Sequence, residues 1–304
     1  ENNMIPSKEN MELANLVGDW LKNEVAPVCG EYDEKNEFPE KLYEQMTELG
    51  LNIMCTPEEY GGLDLSAVAQ TLIAEQLGRY EVGLGSAVGA NASATHLMNQ
   101  FGSPEQKKIF FDILVNGGWA AFCLTEPNAG SDAGSVTTTA EESEDGYVIN
   151  GTKCFITNGG IAGVYLVFAS MDRSLGVKGI SCFLVERDRE GISIGKHENK
   201  MGIRLSNTTE VVLDHVKVPK DHLIGLQMAM ATLCESRVNV GAMGTGLAAR
   251  ALDEAIAYAK TRVQFKRPIA DLAVIQNMLA DMAMQVEASR QLVYHTAELI
   301  DAKL

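Results

Sequence analysis

The texture of the sequence changes twice, at Trp119 and near Gly225, and this constrains the fold more than any other feature. Before Trp119, apolar residues recur at helical spacing: Met11, Leu13, Leu16, Val17, Trp20 and Leu21 share one face. Ser7 is placed to cap that helix, and Pro27 ends the pattern. Further helices are predicted near Pro39 to Leu49, with Pro39 in the first turn, and over Leu65 to Leu77, Ala87 to Phe101 and Pro104 to Leu114. Tyr60-Gly61-Gly62 reads as a loop. From Trp119 to about Gly225, short β-type runs alternate with turn pairs. Asp145-Gly146 and Asn150-Gly151 read as hairpin turns flanking Tyr147-Val148-Ile149. Strands are predicted over Val164 to Ala169, Ile180 to Val185, Ile192 to Ile194 and Glu210 to Val218. From Met228 helical spacing returns, and Leu272, Ile275, Leu279, Met282, Val286, Ser289 and Val293 make a bundle stripe.

The expected fold is therefore α+β. An N-terminal all-α domain covers residues 1–118, a small β-barrel or β-sheet domain 119–225, and a C-terminal helical bundle 226–304. A bundle with so few helices is expected to be incomplete. The length of 304 residues agrees, because chains beyond ~250 residues usually split into domains. Few aromatics with many Gly, Ala and Met suit helices packed closely through small side chains.

The formal net charge of −16 repels phosphate backbones and anionic lipid, so nucleic acid and membrane surfaces are expected to be poor partners. It also means that a polyanionic ligand needs a local cationic patch. No apolar run approaches the ~18 residues of a transmembrane helix, so no membrane insertion is expected. Glu1 to Asn10 is polar and acidic, unlike a signal peptide, and the missing initiator Met points to a trimmed start. Cysteines 29, 55, 123, 154, 182 and 234 form no CxxC and have no His at zinc-ligand spacing. They read as reduced, buried thiols of a cytoplasmic protein; the expected compartment is the bacterial cytoplasm or, for a eukaryotic chain, the mitochondrial matrix. Histidines 96, 197, 215, 222 and 295 share no metal spacing, and no metal site is expected. There is no GxGxxG after a strand and no GxxxxGK[ST].

Three segments carry a resemblance. Phe122-Cys123-Leu124-Thr125-Glu126-Pro127-Asn128-Ala129-Gly130-Ser131-Asp132 resembles the T-E-P-x-A-G-S-D signature of acyl-CoA dehydrogenases. Phe155-Ile156-Thr157-Asn158-Gly159-Gly160 resembles the family's flavin-facing W/F-I-T-N-G-G strand. Arg262-Val263-Gln264-Phe265, with Pro268-Ile269 and Gln276, resembles its R-x-Q-F-G-x-P-I…Q element. Their order and the helix–sheet–helix plan match, over essentially the whole chain, and the likeness is greatest to the short-chain, butyryl-CoA type.

The resemblance implies noncovalent FAD. The implied cofactor-binding residues are Phe122, Leu124, Thr125, Ser131, Phe155, Ile156 and Thr157, with Arg262, Gln264, Phe265 and Gln276. The threonine hydroxyls suit the polar edge of a flavin, and Phe155 suits one ring face. The backbone of Phe122 to Thr125 suits the pyrimidine, and a tight turn at Gly130-Ser131 suits a pyrophosphate. Arg262, Gln264 and Gln276 match positions that reach a neighbouring subunit's flavin, so a homotetramer, a dimer of dimers, is expected. Leu233-Cys234-Glu235-Ser236-Arg237 resembles the family's D-x-x-R at the start of a long helix, which implies acyl-CoA binding by Ser131, Cys234 and Arg237. Cys234 stands where the pattern has Asp. Lys266 stands where it has Gly, and there it must strain a φ > 0 turn or take another path. About half a dozen Gly-rich residues of the pattern are missing between Gly225 and Leu226.

The implied reaction is α,β-desaturation of a fatty acyl-CoA. A carboxylate takes the α-proton, the β-hydrogen leaves as hydride to the flavin, and electrons pass to an electron-transferring flavoprotein. The base in most similar members is a glutamate in a Y-E-G-T segment, and none occurs before Leu304. In a minority it directly precedes the helix arginine, where this chain has Ser236; Glu235 is turned ~100° away on a helix. No catalytic residue is therefore assigned within the chain, and the glutamate is expected beyond Leu304. A flavin-binding or assembly protein without the base, and an acyl-CoA oxidase, stand as alternatives.

Overall fold

Capping chemistry sets where the first helices begin. The computed structural model describes the backbone of residues 7–226 and 229–304, and the side chains of all of these but 226–235. Ser7 caps α1 (Lys8–Trp20), its hydroxyl accepting from the Asn10 N–H at 3.1 Å. A π-helical turn, Leu21–Val25, carries the chain toward Pro27. α2 (Cys29–Lys35) and α3 (Glu40–Glu48) follow. Pro39 is the N-cap of α3 rather than a first-turn residue, because its ψ of 69° is not helical. α4 (Ala67–Tyr80) is capped by Ser66, and α5 (Val82–Phe101) begins five residues before the Ala87 of the sequence pattern. α6 (Pro104–Val115) opens with a reciprocal capping box: Ser103 Oγ accepts from Gln106 N at 3.2 Å, and Gln106 Oε1 accepts from Ser103 N at 2.9 Å.

The middle of the chain forms one eight-stranded sheet. Its strands are β1 (Ala120–Cys123), β2 (Thr139–Glu142), β3 (Gly146–Thr157), β4 (Val164–Ser170), β5 (Ile180–Glu186), β6 (Ile192–His197), β7 (Thr208–Pro219) and β8 (Leu223–Leu226). The spatial order is β6-β7-β3-β2-β4-β5-β8, and β1 lies parallel to β4. Asp145-Gly146 does close the β2–β3 hairpin. Asn150-Gly151 does not make a turn: β3 continues through it, with a register shift against β7 between Ile149 and Gly151. A Cβ on Gly151 would stand 2.3 Å from Thr138 Oγ1, so this glycine serves close approach rather than reversal.

Period-2 alternation builds two cores from the same strands. Tyr165, Val167 and Ala169 of β4 face one core with Ile149, Phe183, Val211 and Val216. Val164, Leu166 and Phe168 face the other, with Leu97 and Met98 of α5 and Phe110, Phe111 and Leu114 of α6. All seven β4 residues are buried, which is why that strand reads as a continuous apolar run.

The chain then returns to helix in α7 (Ala229–Thr261) and α8 (Ala273–Asp301), joined by the hairpin of β9 (Val263–Gln264) and β10 (Arg267–Pro268). The described chain divides into two compact units. One takes residues 31–65 and 86–236 and holds the sheet; the other takes 1–30, 66–85 and 237–304 and is helical. In the helical unit α4 and α7 meet backbone to backbone. A Cβ on Gly78 would lie 2.1 Å from Met243 O, and one on Gly246 would lie 2.0 Å from Glu75 O. Among the described residues no helix is long and apolar enough to cross a membrane.

Candidate functional site

The sheet unit brings the first two motif segments side by side. Asn158 Nδ2 donates to Ala120 O at 3.2 Å and to Ala87 O at 2.9 Å. At the other end of the strip, Cys154 N donates to Thr125 O at 2.9 Å. Residues 120–125 therefore run antiparallel to 154–158. In the sheet β1 pairs only with β4, so its other edge, toward this strip, is in no ladder among the described residues. Such an edge offers backbone donors and acceptors to a flat ligand.

A β-bulge aims Phe155. Between the pairs Lys153↔Val211 and Ile156↔Thr209, β3 advances three residues while β7 advances two. Phe155 sits at φ 55°, a left-handed conformation unfavourable for a bulky residue, and its side chain is 62% exposed. Backbone strain that holds a large aromatic in solvent points to a ligand face. Thr125, whose carbonyl accepts from Cys154 N, and Thr157, two residues past Phe155, are half-buried, and neither hydroxyl is hydrogen-bonded among the described residues. Phe122 is half-buried and packs on Phe168 at 4.8 Å, and Leu124 packs against the helix-covered core. Ile156 is turned the other way, 2% exposed in the sheet core, so only its backbone faces the strip.

The loop after Thr125 is tied at its neck. Glu126 N donates to Ala129 O and Ala129 N to Glu126 O, so the tight turn is centred on Pro127-Asn128, three residues ahead of Gly130-Ser131. Gly130 and Ser131 are exposed beyond it. The Glu126 side chain is itself buried, 1% exposed, and accepts from five donors. These are Lys153 Nζ at 2.7 Å, Thr137 N and Oγ1 at 2.6 Å each, Thr138 N at 3.0 Å and Thr138 Oγ1 at 2.5 Å. Burial pushes this carboxyl up, but the Lys153 charge and the hydrogen bonds outweigh it and hold its pKa at about 2. Lys153, with no exposed side-chain surface, also donates to Leu124 O at 3.2 Å and Phe168 O at 2.5 Å. The sequence reading missed this pair. Its available sign was strand parity: Lys153 falls on the face of Tyr147 and Ile149, which is the core face.

The remaining candidates lie in or near the helical unit. Arg262, Gln264 and Gln276 are exposed, and Phe265 is 84% exposed at the hairpin tip. Lys266 takes the strained course: Phe265 and Lys266 have φ 51° and 63°, both positive, as a two-residue type I′ turn requires. Arg237 is exposed and lies in the third turn of α7 rather than at its start, because the helix begins at Ala229. The Cys234 side chain lies outside the described residues. Cys55, Cys123, Cys154 and Cys182 are buried free thiols; burial pushes Cys123 up to about 12.

An α+β platform with an unladdered strand edge, two unpaired threonine hydroxyls and an outward aromatic defines a protein that receives a flat, polar-edged ring. The residues present fit a flavin. Residues 7–118 match the acyl-CoA dehydrogenase N-terminal domain, 121–216 the middle domain and 224–304 the C-terminal domain. An acyl-CoA dehydrogenase of Bacillus subtilis (strain 168) is 40% identical over 300 residues, covering 96% of this chain and 79% of that one. The fold is similar to that of butyryl-CoA dehydrogenase from Megasphaera elsdenii, with TM-score 0.94 and 38% identity over 98% of this chain and 81% of that one. A chain in a structure of the electron transferring flavoprotein of Acidaminococcus fermentans, concerned with flavin-based electron bifurcation, superposes with TM-score 0.93. It is 38% identical, over 98% of this chain and 80% of that one. The chain belongs to the acyl-CoA dehydrogenase family.

Proposed function

We propose that the chain serves FAD-dependent α,β-dehydrogenation of a fatty acyl-CoA thioester to the trans-2-enoyl-CoA, with electrons passed to an electron-transferring flavoprotein. The observation that carries this reading is the bulge at Phe155, which presents an aromatic face beside the Thr125 and Thr157 hydroxyls. Bound FAD supplies the two-electron acceptor. The edge of residues 122–125 and the hydroxyls of Thr125 and Thr157 orient its polar rim, and Phe155 excludes water from one face. Ser131, exposed on the loop, contacts the pyrophosphate or the substrate. Arg237 gives the acidic chain a cation for acyl-CoA, with Cys234 beside it. Arg262, Gln264, Phe265 and Gln276 complete a flavin site on a neighbouring copy. The same reading includes a homotetramer, a three-domain division at 119 and 226, and a cytoplasmic location. We assign no general base among these residues.

The test uses the full-length gene product loaded with FAD. Anaerobic mixing with butyryl-CoA is expected to bleach the flavin, and added electron-transferring flavoprotein to restore its colour faster than air does. A colourless protein that takes up no FAD overturns the reading, and rapid reoxidation in air assigns it to the oxidases. Arg237→Ala is expected to weaken acyl-CoA binding by roughly 10- to 150-fold and leave FAD in place.

A further inference from the structure

The Lys153–Glu126 pair does more than neutralise itself. A lysine ammonium has three N–H donors, and here all three have acceptors: Glu126 Oε1, Leu124 O and Phe168 O. Two of these acceptors belong to the residues on either side of Thr125. The next residue of β3, Cys154, donates to the Thr125 carbonyl itself. Thr125 is thus held at its own peptide and through both neighbours by two consecutive residues of β3, immediately before the bulge at Phe155. The Glu126 carboxylate reaches the other way, to Thr137 and Thr138. It closes the loop of residues 127–136, which carries Ser131, at its neck. One buried ion pair therefore joins the threonine edge, the strained aromatic and the loop.

Packing alone does not call for charges at these positions. A buried ion pair is often no more stabilising than apolar residues of the same volume. What a lysine adds is three directed bonds of fixed length. We propose that Lys153 and Glu126 are positioning residues for the cofactor and substrate edge, holding Thr125 and the Ser131 loop in the geometry that receives the ligand. This rests on the FAD reading above.

The test measures FAD binding by deflavinated protein, from quenching of flavin fluorescence. The visible circular dichroism of the bound flavin is recorded alongside, well below each variant's unfolding midpoint. Thr138→Val removes one hydroxyl donor from Glu126 and keeps the charge pair. It is expected to weaken FAD binding several-fold and to alter the visible spectrum. Lys153→Met is expected to weaken binding on the order of 10-fold or more. Adding Glu126→Gln to Lys153→Met removes the unpaired charge. The double variant is expected to recover thermal midpoint without recovering FAD affinity, which a purely structural pair would not do. If Lys153→Met alone does not fold, Thr138→Val and the double variant carry the test. Folded variants that bind FAD with wild-type affinity and spectrum overturn the proposal alone. A wild-type protein that binds no FAD overturns the functional reading and the proposal with it.

Discussion

The sheet unit and the helical unit each bury a carboxylate against a cation, and they do it to different degrees. Lys153 and Glu126 keep 0% and 1% of their side-chain surface, inside a sheet whose apolar residues are buried on both faces. Arg290 and Glu75, which tie α8 to α4, keep 25% and 8%, with Tyr294 Oη donating to Glu75 at 2.6 Å. The helical unit also exposes apolar side chains along both long helices: Val240, Leu247 and Tyr258 of α7 and Val274, Met278, Met284 and Leu292 of α8, whereas Val286 of α8 is buried. The sheet unit excludes water from its ion pair. The helical pair leaves its own partly solvated beside exposed apolar side chains, as helices do when another surface is to cover them.

The chain's two tryptophans, Trp20 and Trp119, fall one in each unit, so fluorescence can follow the units separately in Trp20→Phe and Trp119→Phe backgrounds. The largest expected effect is Glu126→Ala, which leaves Lys153 buried and uncompensated. It should cost about 3–5 kcal/mol of the sheet unit's stability in urea unfolding. A loss below ~1 kcal/mol would show that water reaches Lys153 and that the two pairs are alike.

Arg290→Ala should cost the helical unit less, about 1–3 kcal/mol, because Tyr294 still donates to Glu75 and the arginine was partly solvated. Acid separates the units as well. The Glu126 carboxyl is held below its ordinary 4.5, at about 2, so its contribution is complete above the ordinary value. That contribution is lost as pH falls from there through about 2. Wild-type sheet stability should therefore drop across that window, and Glu126→Gln should flatten the drop. An unchanged slope in the variant would assign the acid sensitivity to other carboxylates.

The smallest effects belong to the helical surface. Leu292→Ala, at a position 69% exposed, should change monomer stability by no more than ~0.5 kcal/mol. A larger loss that depends on protein concentration would mean that another copy covers α8. Lys266→Gly should raise the unfolding free energy slightly, by less than ~1 kcal/mol in urea unfolding, since glycine accepts the φ of 63° without strain.

Alternation and capping made most elements legible in the sequence. Ser7 marks the helix start that it caps, and apolar runs mark the central strands; the caps at Ser66 and Ser103 came only with the structure. Asn150-Gly151 misled because the dipeptide favours a reversal, whereas here it lies mid-strand where Gly151 clears Thr138. The threonines and Phe155 were legible through their motif. The bulge was not, because it is set by pairing with a strand more than 50 residues later. Lys153 was overlooked because a charged residue in a strand ordinarily faces water.

The helical unit is assembled from three separate stretches of chain, and this dictates an order of events on the ribosome. α1 and α4 can pair as soon as residue 85 has emerged. Glu75 must then wait for Arg290, and Gly78 for Met243, while residues 86–236 of the sheet unit are made in between. At ~5–20 residues per second the wait for Arg290 is on the order of ten to forty seconds. Through that interval α4 carries a carboxylate with no cation and a glycine notch with no helix in it. All strands of the sheet are therefore synthesised before α4 can meet α7 and α8.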